Sequence, residues 1–180
     1  MTDELPCHCI ICVDHDVDLD DFDRRTIGLV QEHGWVAQAV AADDSGPGWA
    51  YTVGLWHTLR SPEIAIFGID DLATMQHCLN GLGDAIREGR TLVVDQERDD
   101  VIEGLPVTIK AVHRSWHEPL FGQALYFYQH SPVPFMEVVW PDRSGLFPWQ
   151  DGCAAGVRDR QPQLWIPKPN HPAGVWADLP

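Results

Sequence analysis

This sequence predicts an α+β fold, with a mainly antiparallel sheet of about five strands and two to three helices. Three observations predict it. Two stretches carry apolar residues at helical spacing between capping and turn-forming residues. Several short runs are rich in Val, Ile and aromatic residues, as strands are. Between the first two runs, Asp43-Asp44-Ser45-Gly46-Pro47-Gly48 has the chemistry of a hairpin loop, which makes those strands antiparallel neighbours rather than parts of a wound parallel sheet.

The elements follow in order. Residues 1–17 form a polar arm bearing Cys7, Cys9 and Cys12. In the first helix Leu19, Phe22, Leu29, Val30 and His33 recur, Asp18 or Asp20 caps the start, and Gly34 ends it. Asp20, Asp21 and Asp23 lie where the positive end of the helix dipole favours acids. Strands are predicted at 35–41, 49–55, 63–69, 105–112 and 135–140. The second helix places Leu72, Met75, Leu79, Leu82 and Ile86 on one stripe, with Asp70 or Asp71 as cap and Gly89 as stop. A third helix covers 118–129 with Leu120, Ala124 and Phe127 on one face. It is read as starting at Pro119, because a capping box from Ser115 would put that proline where its missing N–H removes the first regular helix bond. Residues 141–180 are irregular and rich in Pro, and Trp149, Trp165 and Trp176 favour a tail that wraps over the sheet.

A chain of 180 residues is one domain's worth, and its 44% hydrophobic and 22% charged residues are ordinary for a globular protein. With 12 Lys and Arg against 27 Asp and Glu, the net charge of −15 opposes the counterion release on which nucleic-acid binding depends. No apolar run approaches the ~20 residues that span a bilayer, and Met-Thr-Asp-Glu-Leu has no basic leader, so a cytosolic protein without membrane attachment is expected. Five cysteines, three of them crowded into the arm, fit a secreted disulfide framework poorly.

Cys7-x-Cys9-x-x-Cys12 is the densest set of candidate metal ligands. Thiolates favour zinc, and a closed structural zinc site takes four ligands, so His15, or Cys153 brought in from the tail, is the expected fourth. The alternative is a set of reduced thiols or a redox pair in a flexible arm. Cys78, on the apolar helix, reads as core. Trp56-His57 follows a predicted strand, where a scaffold presents functional side chains, which makes His57 the best single candidate for an acid, base or ligand. His113 and His117 have the spacing of a helix face, but Pro119 starts the helix after them. His33, His77 and His130 read as capping or packing residues. Trp140-Pro141-Asp142 with Cys153 and Arg158 invites a tyrosine-phosphatase reading, which fails because that nucleophile loop encloses one residue more than separates Cys153 from Arg158.

The run 48–58, Gly-Trp-Ala-Tyr-Thr-Val-Gly-Leu-Trp-His-Thr, the stretch from Trp140-Pro141-Asp142 to Gly145-x-Phe147-Pro148-Trp149, and the closing Gln161-Pro162-x-Leu164-Trp165 together resemble the bacterial family called domain of unknown function 4262. The Cys-rich start and Glu32-His33-Gly34-Trp35 share in the resemblance. It implies a small soluble bacterial protein and assigns no catalytic residue.

Two functional readings follow from the residues. The leading one is a small-molecule-binding or catalytic pocket in which His57 and Asp142 do acid–base work and Tyr51, Trp56 and Trp149 line the ligand. It expects His57 and residues 142–149 to face one cavity, since each follows a predicted strand. The other is a non-enzymatic interaction module with a protein partner and a metal-stapled N-terminus, zinc being held by Cys7, Cys9, Cys12 and His15.

Overall fold

The computed structural model describes residues 6–13 and 16–179. Among these, the elements in chain order are α1 (Asp21–His33), β1 (Val36–Val40), β2 (Trp49–Val53), α2 (Leu55–Leu59), β3 (Glu63–Phe67), α3 (Leu72–Arg87), β4 (Glu97–Ile102) and β5 (Leu105–Ala111). The order continues with α4 (His117–Leu120), α5 (Gly122–Phe127), β6 (Phe135–Val139) and α6 (Ala155–Arg158). The strands form one sheet in the order β1-β2-β3-β6-β5-β4, parallel only between β3 and β6. The fold is α+β with a mixed, mostly antiparallel sheet of six strands rather than about five.

Local chemistry accounts for the elements the pattern predicts. Asp20 and Asp23 form a reciprocal capping box at α1, and Gly34 ends that helix at φ 98°. Asp71 caps α3 by accepting from the N–H groups of Ala73 and Thr74. The predicted hairpin is present, with Val36 opposite Val53 and Val40 opposite Trp49. At the centre, β3 is buried along its whole length, as its Ile-Ala-Ile-Phe run requires.

Three expectations are corrected. β4 went unpredicted because its Glu-Arg-Asp-Asp start lacks apolar alternation; it is an edge strand, where charge is tolerated and discourages pairing with other chains. The predicted strand 49–55 ends at Val53, and the chain turns at Gly54 into α2. The single helix expected over 118–129 is instead a 3-10 turn (Arg114–Trp116), α4 and α5. Pro119 is the third residue of α4, still within the first turn, whose N–H groups have no partner inside the helix.

The sheet separates two cores. On one face α3 lays Met75, Leu79, Leu82 and Ile86 against Ile64, Ile66, Ile109 and Val138. On the other, Tyr51, Val53 and Phe67 pack with Phe121, Phe127 and Phe135. Leu164 and Trp176 of the tail join this second core, as do Cys7 and Cys9 of the arm. Of the tail tryptophans, Trp176 is 4% exposed, whereas Trp149 is 38% exposed.

Glycine in α3 gives a paired test of this packing. A Cβ at Gly83 would lie 2.4 Å from Trp35 Cζ2, whereas one at Gly81 would meet nothing within 4 Å. Gly83→Ala is expected to destabilise by about 1–3 kcal/mol through overpacking, less the helix-propensity gain. Gly81→Ala should instead stabilise by roughly 0.5–1 kcal/mol. Chemical denaturation of both variants checks the pair.

Glu137 supplies a pH test. It is fully buried, its Oε2 accepts the Leu164 N–H at 3.2 Å, and its Oε1 has no partner among the described residues. Burial pushes its pKa well above the ordinary carboxylate value, so the folded chain keeps a proton that the unfolded chain loses. The associated stability is present below the ordinary carboxylate pKa and is lost as pH rises through the raised one. Glu137→Gln is therefore expected to match the wild type in acid and to exceed its stability increasingly toward neutral and higher pH. Denaturation midpoints across that range check the sign.

Candidate metal centre

Two segments that the sequence leaves far apart meet at the N-terminal end of β3. The first is the arm. A turn at Cys9, whose carbonyl accepts the N–H groups of Cys12 at 3.0 Å and Val13 at 3.1 Å, folds Cys12 back toward Cys9. The Ile10 N–H donates to the Phe127 carbonyl at 2.9 Å, and Ile10 and Ile11 pack on the second core. Cys7 and Cys9 are buried while Cys12 is exposed.

The second segment is α2. Gly54 starts it at φ 115°, where a Cβ would lie 2.9 Å from the Gly34 carbonyl oxygen and equally close to both Val30 methyl groups, so glycine is required on two counts. The first-turn N–H groups of Gly54 and Trp56 donate to Glu63 Oε1 at 3.0 and 3.1 Å. Held in this way, α2 projects His57 toward the arm, with its ring edge-on to Phe127 at 6.4 Å.

Between the segments, His57 Nδ1 lies 3.3 Å from Cys9 Sγ and 3.2 Å from Cys12 Sγ. The ligand atoms of Cys7, Cys9, Cys12 and His57 all lie within 4.8 Å of one another. Tetrahedral zinc places sulfurs about 3.8 Å apart and sulfur and nitrogen about 3.6 Å apart, from bonds of about 2.3 and 2.05 Å. The Cys9 and Cys12 sulfurs lie a few tenths of an ångström nearer to Nδ1 than in such a site, all four atoms lie within 4.8 Å of one another, and the donor set is one that zinc takes in closed structural sites. One imidazole lone pair cannot serve two thiols well, whereas a cation among the four atoms satisfies them all.

Electrostatics supports the same set. Burial lowers the His57 pKa, with the Arg60 guanidinium adding to the effect, so the ring is held in the neutral form that ligates. Burial pushes the Cys9 thiol up to about 12 and raises Cys12 as well, so without a cation both are thiols. Metal ligation reverses that balance by stabilising thiolate. Three thiolates and a divalent cation leave one negative charge, and the positive Arg60 lies close enough to act on both Cys12 and His57.

The fold redistributes the predicted site residues. His15 lies outside the described residues. Cys153 is not with the triad: it is buried in the loop after β6 beside Asp142. His57, predicted as an acid, base or ligand, is the residue that reaches the arm's cysteines. No spacing rule exposes that pairing, since the segments are 45 residues apart or more.

His57 and Asp142 do not face one cavity. β2 is antiparallel to β3 and β6 parallel to it, so α2 leaves beside the starts of β3 and β6, whereas Asp142 follows the end of β6. A strand length, roughly 17 Å at the usual rise, separates the two ends. Asp142 is a loop-closing residue: its carboxylate accepts the N–H groups of Ser144 and Ala154 at 2.8 Å and of Leu146 at 3.0 Å. Those bonds, from Ala154 and Leu146 foremost, hold its pKa below the usual carboxylate value.

The aromatic residues disperse as well. Tyr51 is buried edge-on to Phe121, and Trp56 is half-buried with the Arg60 guanidinium 6.0 Å from its ring. Trp149 lines a shallow depression of about 340 Å³ with Asp95, Glu97 and Lys110, the Lys110 ammonium lying 4.7 Å from its ring. A larger depression of about 700 Å³ between α1, β1 and α3 contains none of the predicted site residues.

Among the described residues no helix is long and apolar enough to cross a membrane. No curated protein and no solved structure matches the chain. A family described as "Domain of unknown function (DUF4262)" matches residues 29–154, a span that contains His57, Glu63, Tyr128 and Asp142 and leaves out the cysteine arm and the closing Gln161–Trp165 motif. That span is more than half of the sequence, and the chain belongs to the DUF4262 family.

Proposed function

We propose that the protein is a zinc-binding module in which Cys7, Cys9, Cys12 and His57 form a closed centre that clamps the N-terminal arm to the turn between β2 and α2. The observation that carries this reading is the convergence of four ligand atoms of the right chemistry within 4.8 Å. Soft thiolates with one imidazole select zinc over harder cations, and a fourth protein ligand leaves no open position for substrate. When bound, zinc supplies folding free energy to the segments it joins. The reading favours a non-enzymatic module over a catalytic pocket, because His57 directs Nδ1 at the thiols and shares no cavity with Asp142.

Elemental analysis of the protein purified under reducing conditions tests this. One zinc per chain is expected, with loss of zinc in Cys9→Ser and retention in Cys153→Ser. A chain that stays free of zinc after reconstitution, or a Cys9→Ser variant that keeps it, would overturn the proposal.

A further inference from the structure

The two residues that hold α2 carry an inference beyond the four ligands. The helix has five residues and begins at a glycine, so it lacks both the length to persist alone and a side chain to cap it. Its first-turn N–H groups lie against the core, where an unpaired donor is costly. They are met from other elements: Glu63 at the start of β3 takes Gly54 and Trp56, and the Tyr128 hydroxyl takes Gly54 at 3.1 Å and His57 at 3.4 Å. Tyr128 in turn donates to Glu63 Oε1, and Thr52 Oγ1 donates to Glu63 Oε2 at 2.5 Å.

A carboxylate with no exposure is expensive to bury, yet three of its bonds go to the helix and the tyrosine that set the His57 backbone. The neighbouring residue, Phe127, does the corresponding work for the arm. Its carbonyl accepts the Ile10 N–H, and its ring packs against the imidazole. Residues 127 and 128 therefore grip both halves of the centre, one through the arm and the other through α2.

We infer that Glu63 and Tyr128 are positioning residues for the metal centre, which hold the His57 ligand in its bonding orientation before the cation arrives. The inference rests on the zinc-binding reading above. A ligand already in place loses less freedom on binding; removing a partner bonded to a ligand's own ring typically changes metal affinity about 10–100-fold, and Glu63 and Tyr128 act one step further out, on the backbone that carries the His57 ring.

The test is titration of the full chain with Co²⁺ as a spectroscopic substitute for zinc, in the wild type, Glu63→Gln, Tyr128→Phe, His57→Ala and Tyr128→Phe/His57→Ala. Wild type is expected to show thiolate charge transfer together with the ligand-field bands of a tetrahedral three-sulfur, one-nitrogen site. Glu63→Gln and Tyr128→Phe should each weaken cobalt binding about 10-fold, the lower end of that range, and perturb the ligand-field bands while keeping thiolate charge transfer. In the His57→Ala background, Tyr128→Phe should cause no further loss, because its effect runs through the imidazole. A purely structural role would weaken both backgrounds equally, and that result overturns the inference, as does wild-type affinity in Tyr128→Phe. Tyr128→Phe removes a single hydroxyl and decides the matter alone if Glu63→Gln does not fold. Absence of cobalt binding by the wild type would instead overturn the zinc reading itself, and this inference with it.

Discussion

On the zinc-binding proposal, treating the zinc-reconstituted protein with a chelator is expected to release residues 6–13 from the second core and to lower the denaturation midpoint sharply. Ordering a segment costs about 1–2 kcal/mol per residue in backbone entropy. Against that the arm sets contacts that include buried Cys7 and Cys9, partly buried Ile10 and Ile11, the backbone bond from Ile10 to Phe127, and the Cys9 and Cys12 contacts with His57. A structural zinc site contributes about 10–16 kcal/mol of apparent binding free energy, enough to decide whether such a segment is ordered. Hydrogen exchange should show the amides of Ile10, Cys12 and Val13 protected in the zinc-loaded chain and fast after chelation. His57→Ala should resemble the chelated wild type and respond little to further chelator. An arm equally protected in both states would show that packing alone holds it.

The second large effect lies on the opposite face of the sheet. Leu79 is fully buried on the α3 stripe, against Ile64, Ile66 and Val138. Leu79→Ala is expected to cost about 2–5 kcal/mol, the transfer term of the lost carbons plus the cavity they leave. A loss of that size is a large fraction of the stability of an ordinary domain, so urea denaturation will resolve it. Phe22 on α1 is 50% exposed, and Phe22→Ala should stay within about 0.5 kcal/mol of wild type. Equal effects of the two substitutions would contradict the assignment of the core.

What the sequence made legible were elements whose stability is written locally. The α3 stripe, its Asp71 cap, the Asp20 cap of α1 and the Asp43–Gly48 turn each depend on residues a few positions apart, and each is present. β4 and α2 have no such local signature. The first is a charged edge strand that exists because β5 offers a partner, and the second is a short helix whose N–H groups are met by Glu63 and Tyr128 from distant elements.

The candidate site divides in the same way. Cys7, Cys9, Cys12 and His57 are each visible as chemistry in the sequence, but their meeting depends on the arm crossing Phe127, which no spacing reveals. Asp142 shows the converse. A carboxylate in a Gly- and Pro-rich loop reads the same whether it moves protons or closes the loop, and here three backbone N–H groups occupy it.

X-ray absorption at the zinc edge, on the full chain after zinc reconstitution under reducing conditions, tests the central claim most directly. Three sulfur scatterers at about 2.3 Å and one nitrogen at about 2.0–2.1 Å are the predicted shell, with outer-shell scattering from one imidazole that disappears in His57→Ala. A shell of four sulfurs, or one dominated by oxygen, would contradict a centre built from Cys7, Cys9, Cys12 and His57.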